Sequence, residues 1–196
     1  DENDGLSPGA ALLTLSEAAW RMKPGDRAVV GPGLYEEGVI DPVGGTAAAP
    51  VIFLADPSGR ATQDAPGPVM VDGGLGLAGF RLSRAQFVVI DGFEIQGGTE
   101  AGVQVRNRSN NVVIRNCRIA FSAGDGIRVQ DSDDVLIFNN LIFENSNRGI
   151  RIAGNSAGSQ RAGVINNTVA DNGNNGFSLG TEGVPSGAVV RGNLIQ

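Results

Sequence analysis

Two arginines, Arg128 and Arg151, occupy the same position in consecutive copies of a sequence repeat, and Arg148 lies shortly before the second of them. Planar guanidinium groups match the geometry of carboxylates, so these arginines form a candidate site for an acidic ligand. In a catalytic version of this site, one arginine binds the carboxylate and another removes the adjacent proton, which requires a neutral guanidinium. The alternative interpretation is an exposed row of arginines that form weak ion pairs with Asp125 or Glu100.

Polar residues near these arginines are candidates for substrate binding. Gln104 and Ser178 fall in the same column of the repeat as the two paired arginines, and Asp125 occupies the position that Arg148 has in the next copy. Side chains in one column of a stacked repeat face the same direction. The sequence therefore predicts one polar surface that runs along successive copies.

The carboxylates Asp131, Asp133 and Asp134 cluster in a turn and form a candidate Ca²⁺ site. This cation requires several oxygen ligands, and backbone carbonyls would help to supply them. Polar residues are also common in turns between strands, so the same cluster has a purely structural interpretation. The sequence leaves both interpretations open.

The composition excludes several classes of chemistry. The chain has no histidine, which rules out histidine acid–base catalysis, Ser-His and Cys-His nucleophiles and His-ligated zinc. Cys117 is the single cysteine, so no internal disulfide is possible, and its place in the repeat predicts a buried, inert thiol. The net charge of −6 disfavours nonspecific nucleic-acid binding. Because no apolar run approaches about 20 residues, we predict no membrane span.

The repeat itself predicts the elements that position these residues. Three closely similar segments, 86–108, 110–132 and 133–155, are followed by a looser copy at 161–183 and an incomplete one at 187–196. A period of about 24 residues, with short apolar alternations between Gly and Asn turns, is typical of a stacked β-solenoid. Strands in successive copies must be parallel, because every turn of a solenoid runs the same way.

The repeat predicts a single domain over residues 1–196. Within it we expect an N-terminal arm at 1–13, a short capping α-helix at 14–23 and about seven coils over 27–196. Trp20 either plugs the open end of the first coil or lies on the surface, and we favour the plug. The last coil is incomplete, so we expect it to continue into further chain or to contact a partner.

One column of the repeat combines Phe93 and Cys117 with Asn140, Asn167 and Asn193. This column falls at a corner between two strands, where stacked asparagine amides can hydrogen-bond along the solenoid axis. The sequence therefore predicts that a substitution of Asn140 affects folding rather than chemistry.

Two features resemble right-handed parallel β-helix proteins of the pectate-lyase-like superfamily. They are the segment 18–37, with its AA, MKPGD, VV and GLYEE elements, and the repeated hydrophobic–Asn–Asn–hydrophobic corner followed by a Gly-Ile-x-Val strand. The resemblance implies an all-β fold, namely a right-handed parallel β-helix (solenoid) with a short N-terminal capping α-helix. Lyases of this superfamily use Lys or Arg as base, and Ca²⁺ or basic groups to neutralise a uronate carboxylate. The only lysine, Lys23, lies in the cap, which leaves arginine.

Other branches of the superfamily fit less well, because polygalacturonase-type hydrolases and mannuronan epimerases use histidine. The resemblance implies an exported protein, extracellular or periplasmic, that binds or cleaves a polysaccharide. The enzyme hypothesis is a lyase-like β-elimination on an acidic glycan, with Arg128, Arg148 and Arg151 as catalytic residues. The competing hypotheses are a non-catalytic carbohydrate-binding or cell-surface scaffold module, and a fragment of a longer β-helix protein.

Overall fold

The computed structural model describes residues 2–153, 159–180 and 187–196. Within these ranges, three parallel sheets form the walls of a β-solenoid. The first sheet has seven strands, in the spatial order β1 (Arg27–Val30), β4 (Val51–Ala55), β7 (Val88–Asp91), β10 (Val113–Arg115), β13 (Leu136–Phe138), β16 (Gly163–Ile165) and β19 (Val189–Arg191).

The second sheet has, among the same described residues, seven strands: β2 (Gly33–Tyr35), β5 (Val69–Asp72), β8 (Glu94–Gln96), β11 (Arg118–Ala120), β14 (Leu141–Phe143), β17 (Thr168–Ala170) and β20 (Leu194–Ile195). The described part of the third sheet has six: β3 (Val39–Ile40), β6 (Ala78–Ser83), β9 (Ala101–Arg106), β12 (Asp125–Gln130), β15 (Ile150–Ala153) and β18 (Phe177–Leu179). Each of the first six coils contributes one strand to each sheet in turn, and the described part of the last coil contributes to the first two sheets, so the predicted solenoid of about seven coils is confirmed.

The core is built from the side chains that alternate inward along each strand. Ile114 lies in register with Ile90 on one side and Ile137 on the other, and all three are fully buried. Because side chains of a strand point alternately to its two faces, aliphatic residues two apart in every copy fill one continuous interior. The repeat alignment made from sequence therefore coincides with the strand register of the structure.

The N-terminal cap is a two-turn helix, α1 (Leu15–Arg21), and the side chain of Thr14 accepts a hydrogen bond from the Glu17 amide at its first turn. Leu15 and Ala19 are buried against the first coil. Trp20 follows Ala19 by one position, which turns it about 100° away on a helix. Trp20 is 77% exposed, so the prediction that it plugs the coil was wrong. In the described part of the chain, no helix is both long and apolar enough to cross a membrane.

The predicted asparagine column is confirmed at the corner between the first and second sheets. The Asn140 side chain accepts a hydrogen bond from the Cys117 amide at 3.0 Å and donates to the Ile114 carbonyl at 3.0 Å. It also donates to Asn167 Oδ1 at 2.9 Å, and Asn167 donates in turn to Asn193 Oδ1 at 3.0 Å. Asn140 and Asn167 therefore each join their own coil to both neighbouring coils.

Two further ladders at the other corners were not predicted from the sequence. Between the third and first sheets, the amides of Ser109 and Ser132 donate to Ser132 Oγ and Ser159 Oγ, one coil further on. Between the second and third sheets, the amide of Asn145 donates to Asn172 Oδ1 at 3.1 Å. Serine and asparagine are common in turns whether or not they form a ladder, so the sequence alone did not distinguish the ladder positions from other turn residues.

The Cys117 thiol is expected to be chemically inert in the folded protein. The residue is 2% exposed, and burial raises the pKa of its thiol to about 12, so almost no reactive thiolate forms at pH 8. We expect an aromatic disulfide reagent to label native protein at least about 100-fold more slowly than protein unfolded in urea, because labelling requires opening of the coil. Complete labelling within minutes under native conditions would contradict this burial.

Candidate functional site

The outer surface of the third sheet carries the predicted polar column. Arg128 on β12 lies in register between Gln104 on β9 and Arg151 on β15, and Arg151 pairs with Ser178 on β18. Neighbouring strands of a sheet are about 4.8 Å apart, so the side chains of Arg128 and Arg151 leave the backbone at adjacent positions on one face. The structure thus brings these four predicted residues into one row.

Arg128 lies in a network of polar side chains. Its Nη1 atom is 3.5 Å from Glu100 Oε2, and its Nη2 atom donates to Gln130 Oε1 at 3.3 Å. The side chain of Gln104 donates to the same Glu100 carboxylate, and Gln104 is only 1% exposed. Arg128 therefore shares this face with one carboxylate and two amide side chains.

Asp125 and Arg148 meet at the corner where the chain enters the third sheet. The Asp125 side chain is 2% exposed, and its Oδ1 atom accepts hydrogen bonds from Asn147 Nδ2 at 2.8 Å and from the Arg148 amide at 3.2 Å. The Arg148 Nη1 atom is 3.8 Å from the same oxygen. Asp125 therefore holds the Asn147–Arg148 turn in place, and Arg148 is the member of this pair that reaches the surface.

Several buried polar atoms on this face have no hydrogen-bond partner among the described residues. They are Gln104 Oε1 and the Nε atoms of Arg106, Arg128 and Arg148. Leaving such an atom unsatisfied costs about 1–3 kcal/mol, so water or a ligand that supplies a partner would stabilise this face. Sequence reasoning missed Arg106, although alternation places it on the same face as Gln104 and the register pairs it with Gln130.

The candidate calcium ligands lie at the far corner, where the chain leaves the third sheet. Asp133 Oδ1 accepts a hydrogen bond from the Gln160 amide at 2.8 Å. Asp134 forms a bidentate ion pair with Arg161 at 2.6 and 2.7 Å, and these hydrogen bonds lower the pKa of Asp134. Within the described ranges, no group of three or more cysteines and carboxylates is arranged to hold a metal ion. Asp133 and Asp134 thus contact neighbouring groups of the chain, and Ca²⁺ binding by Asp131, Asp133 and Asp134 stays a prediction.

Comparison with known proteins identifies the architecture. By structure, the chain is similar to the pectate lyase Pel9A, with a TM-score of 0.67, 17% identity, and coverage of 92% of this chain and 56% of that one. It is also similar to an alginate lyase from Paenibacillus sp. str. FPU-7, with a TM-score of 0.68, 18% identity, and coverage of 91% and 72%. The chain thus spans little more than half the length of the pectate lyase. At these identities the likeness shows the fold alone.

No curated protein has a significantly similar sequence. The family model described as "Right handed beta helix region" matches residues 73–196, which is more than half of the chain and includes all of the regular copies. The parallel coils and the resemblance noted from the repeat agree with this match. The chain therefore belongs to the right-handed β-helix family.

Proposed function

We propose that this protein binds an acidic polysaccharide along the outer face of the third sheet. The observation that carries the proposal is a local excess of positive charge on this face of an otherwise acidic protein. The face carries more guanidinium groups than carboxylates, namely Arg106, Arg128, Arg148 and Arg151 against Glu100 and Asp125.

The packing of this face also supports a ligand-binding role. Like charges about one strand spacing apart repel each other, and the carboxylates of Glu100 and Asp125 offset this repulsion only in part. Arg128 and Arg148 are only 24% and 20% exposed in their side chains, so water screens them less than it screens fully exposed groups. A ligand carboxylate that bridges adjacent coils would offset this repulsion and accept charge-assisted hydrogen bonds.

The shape of the face favours a polymer over a small anion. The row of polar residues continues over β9, β12, β15 and β18, so successive coils repeat one surface along the solenoid axis. The names of the two structural neighbours refer to pectate and alginate, which are polymers of uronic acids, and they suggest ligands for a test. Because such polymers lie outside the cytoplasm, we also propose an extracellular or periplasmic location.

The double variant Arg128→Gln/Arg151→Gln is expected to bind polygalacturonate or alginate at least about tenfold more weakly than the wild type, because two charge-assisted contacts are lost. Isothermal titration at low and physiological salt measures this change, with a neutral polysaccharide as the ligand control. The matched protein control is Arg27→Gln/Arg60→Gln, which removes the same charge from exposed positions outside the third sheet. Equal losses in both double variants would mean nonspecific attraction and would contradict the proposal.

The wild type and the variant Arg148→Gln, incubated with the same polymers, test the lyase hypothesis from the sequence. A β-elimination on a uronate polymer leaves an unsaturated sugar whose ultraviolet absorbance grows with time. Growth that disappears in Arg148→Gln, with binding retained, would support a catalytic role for Arg148. Binding without product would support the non-catalytic carbohydrate-binding module instead.

A further inference from the structure

Phe121 lies at the corner between the second and third sheets in an unusual backbone conformation. Its φ is 58°, in the left-handed region, and its side chain is 52% exposed. The same corner of the neighbouring coils has Gly97, Glu144 and Asp171, with φ of 72°, 51° and 53°. The corner therefore requires this conformation, and a bulky aromatic residue is among the least suited to it. An exposed, strained aromatic residue is a reason to look for function.

The ring of Phe121 is held by its neighbours but remains half exposed. Its centroid lies 5.9 Å from that of Phe143, with the two planes at 75°. The guanidinium carbon of Arg118 lies 4.5 Å from the Phe143 centroid, and Arg118 Nη1 is 3.3 Å from Glu94 Oε2. The second sheet thus presents a small platform, defined as Phe121, Phe143 and Arg118, on its outer surface.

This platform lies close to the arginine face of the third sheet. Asp125 is only four positions after Phe121 in the sequence, so their Cα atoms are at most about 14 Å apart. The Asp125 carboxylate in turn accepts a hydrogen bond from the backbone amide of Arg148. A polymer bound to the arginine face can therefore extend around this corner and reach Phe121 without a change in the fold.

We propose that Phe121 stacks against a sugar ring of the acidic polysaccharide, as a second contact beside the arginine face. This inference rests on the proposed function. The C–H groups on one face of a pyranose ring form an apolar surface that complements an aromatic ring, whereas the ring substituents stay in water. Arg118, the charged member of this platform, offers its guanidinium to the carboxylate of the same sugar. A neutral or non-glycan polymer lacks one or both of these features.

The test is Phe121→Asn, because asparagine adopts positive φ readily and so should not impair folding. We expect a melting temperature no lower than that of the wild type and an affinity for polygalacturonate at least about threefold weaker. Phe121→Tyr retains an aromatic ring, and its affinity should stay within about twofold. The matched control is Phe87→Asn, which replaces another phenylalanine at positive φ (53°) in a different corner and should leave affinity unchanged.

The outcomes of this experiment distinguish failure of the stacking contact from failure of the proposed function. Unchanged affinity in Phe121→Asn would overturn the stacking contact and leave the proposed arginine site intact. A melting temperature several degrees lower would show that Phe121 serves packing, and would also overturn the inference. Absence of uronate-polymer binding in the wild type would overturn both the stacking contact and the proposed function.

Discussion

The variant Gly126→Ala is expected to lose about 3 kcal/mol of folding stability. A Cβ atom at Gly126 would lie 2.6 Å from Ile142 Cγ2, 2.7 Å from the Gly149 carbonyl oxygen and 2.8 Å from Asn145 Nδ2. Carbon atoms do not approach other heavy atoms so closely, and the Gly149 oxygen belongs to the backbone of the next coil. The strands of adjacent coils are hydrogen-bonded to each other, so a shift of either coil away from the added methyl group would strain these hydrogen bonds. Urea unfolding measures the loss as a lower urea concentration at the midpoint, with an unchanged dependence of the unfolding free energy on urea concentration.

Gly33→Ala is the matched control for this prediction. Gly33 also lies in a strand of the solenoid, β2, but the nearest atom to a Cβ there is Tyr35 Cε2 at 3.7 Å, an ordinary contact distance. We expect its stability to change by less than about 0.5 kcal/mol. A loss below about 1 kcal/mol in Gly126→Ala would mean that the coils adjust to the extra methyl group, contrary to the close stacking described above.

The variant Asn140→Leu is expected to be destabilised by about 3 kcal/mol, although leucine has a similar size. The substitution removes the acceptor of the Cys117 amide and the donor to the Ile114 carbonyl, and both groups are buried at the corner. Two unsatisfied backbone groups cost about 1–3 kcal/mol each, and the added apolar contacts offset only part of this cost. Thermal unfolding followed by circular dichroism measures the effect.

Asn174→Leu is the appropriate control, since it makes the same substitution at an exposed residue. Its side chain donates one long hydrogen bond, at 3.4 Å, to Asn147 Oδ1. We expect a change within about 0.5 kcal/mol, as for other surface substitutions. If both asparagine variants lost the same stability, the ladder at the corner would have no special role.

The strand register was predictable because the sequence repeats. Residues at equal positions of successive copies must stack when strands are parallel and every coil has the same path. The repeat alone therefore sufficed to align Arg128 with Gln104, Arg151 and Ser178. The calcium hypothesis rests on proximity along the chain instead of on the repeat. Proximity along the chain says nothing about where carboxylate oxygens point, and Asp134 points to Arg161.

By itself, the sequence determined the solenoid, its inward aliphatic columns, the asparagine ladder and the row of outward polar residues. All of these follow from two periodicities, the alternation within a strand and the repeat between coils. Only the tertiary structure decided the burial of Gln104, the exposure of Trp20 and the contact between Phe121 and Phe143. These depend on the lengths and directions of side chains from different coils and corners, which no local pattern contains. The candidate site depends on the repeat and on the packing. The repeat aligns its arginines in one row, and the packing around them leaves Arg128 and Arg148 partly buried.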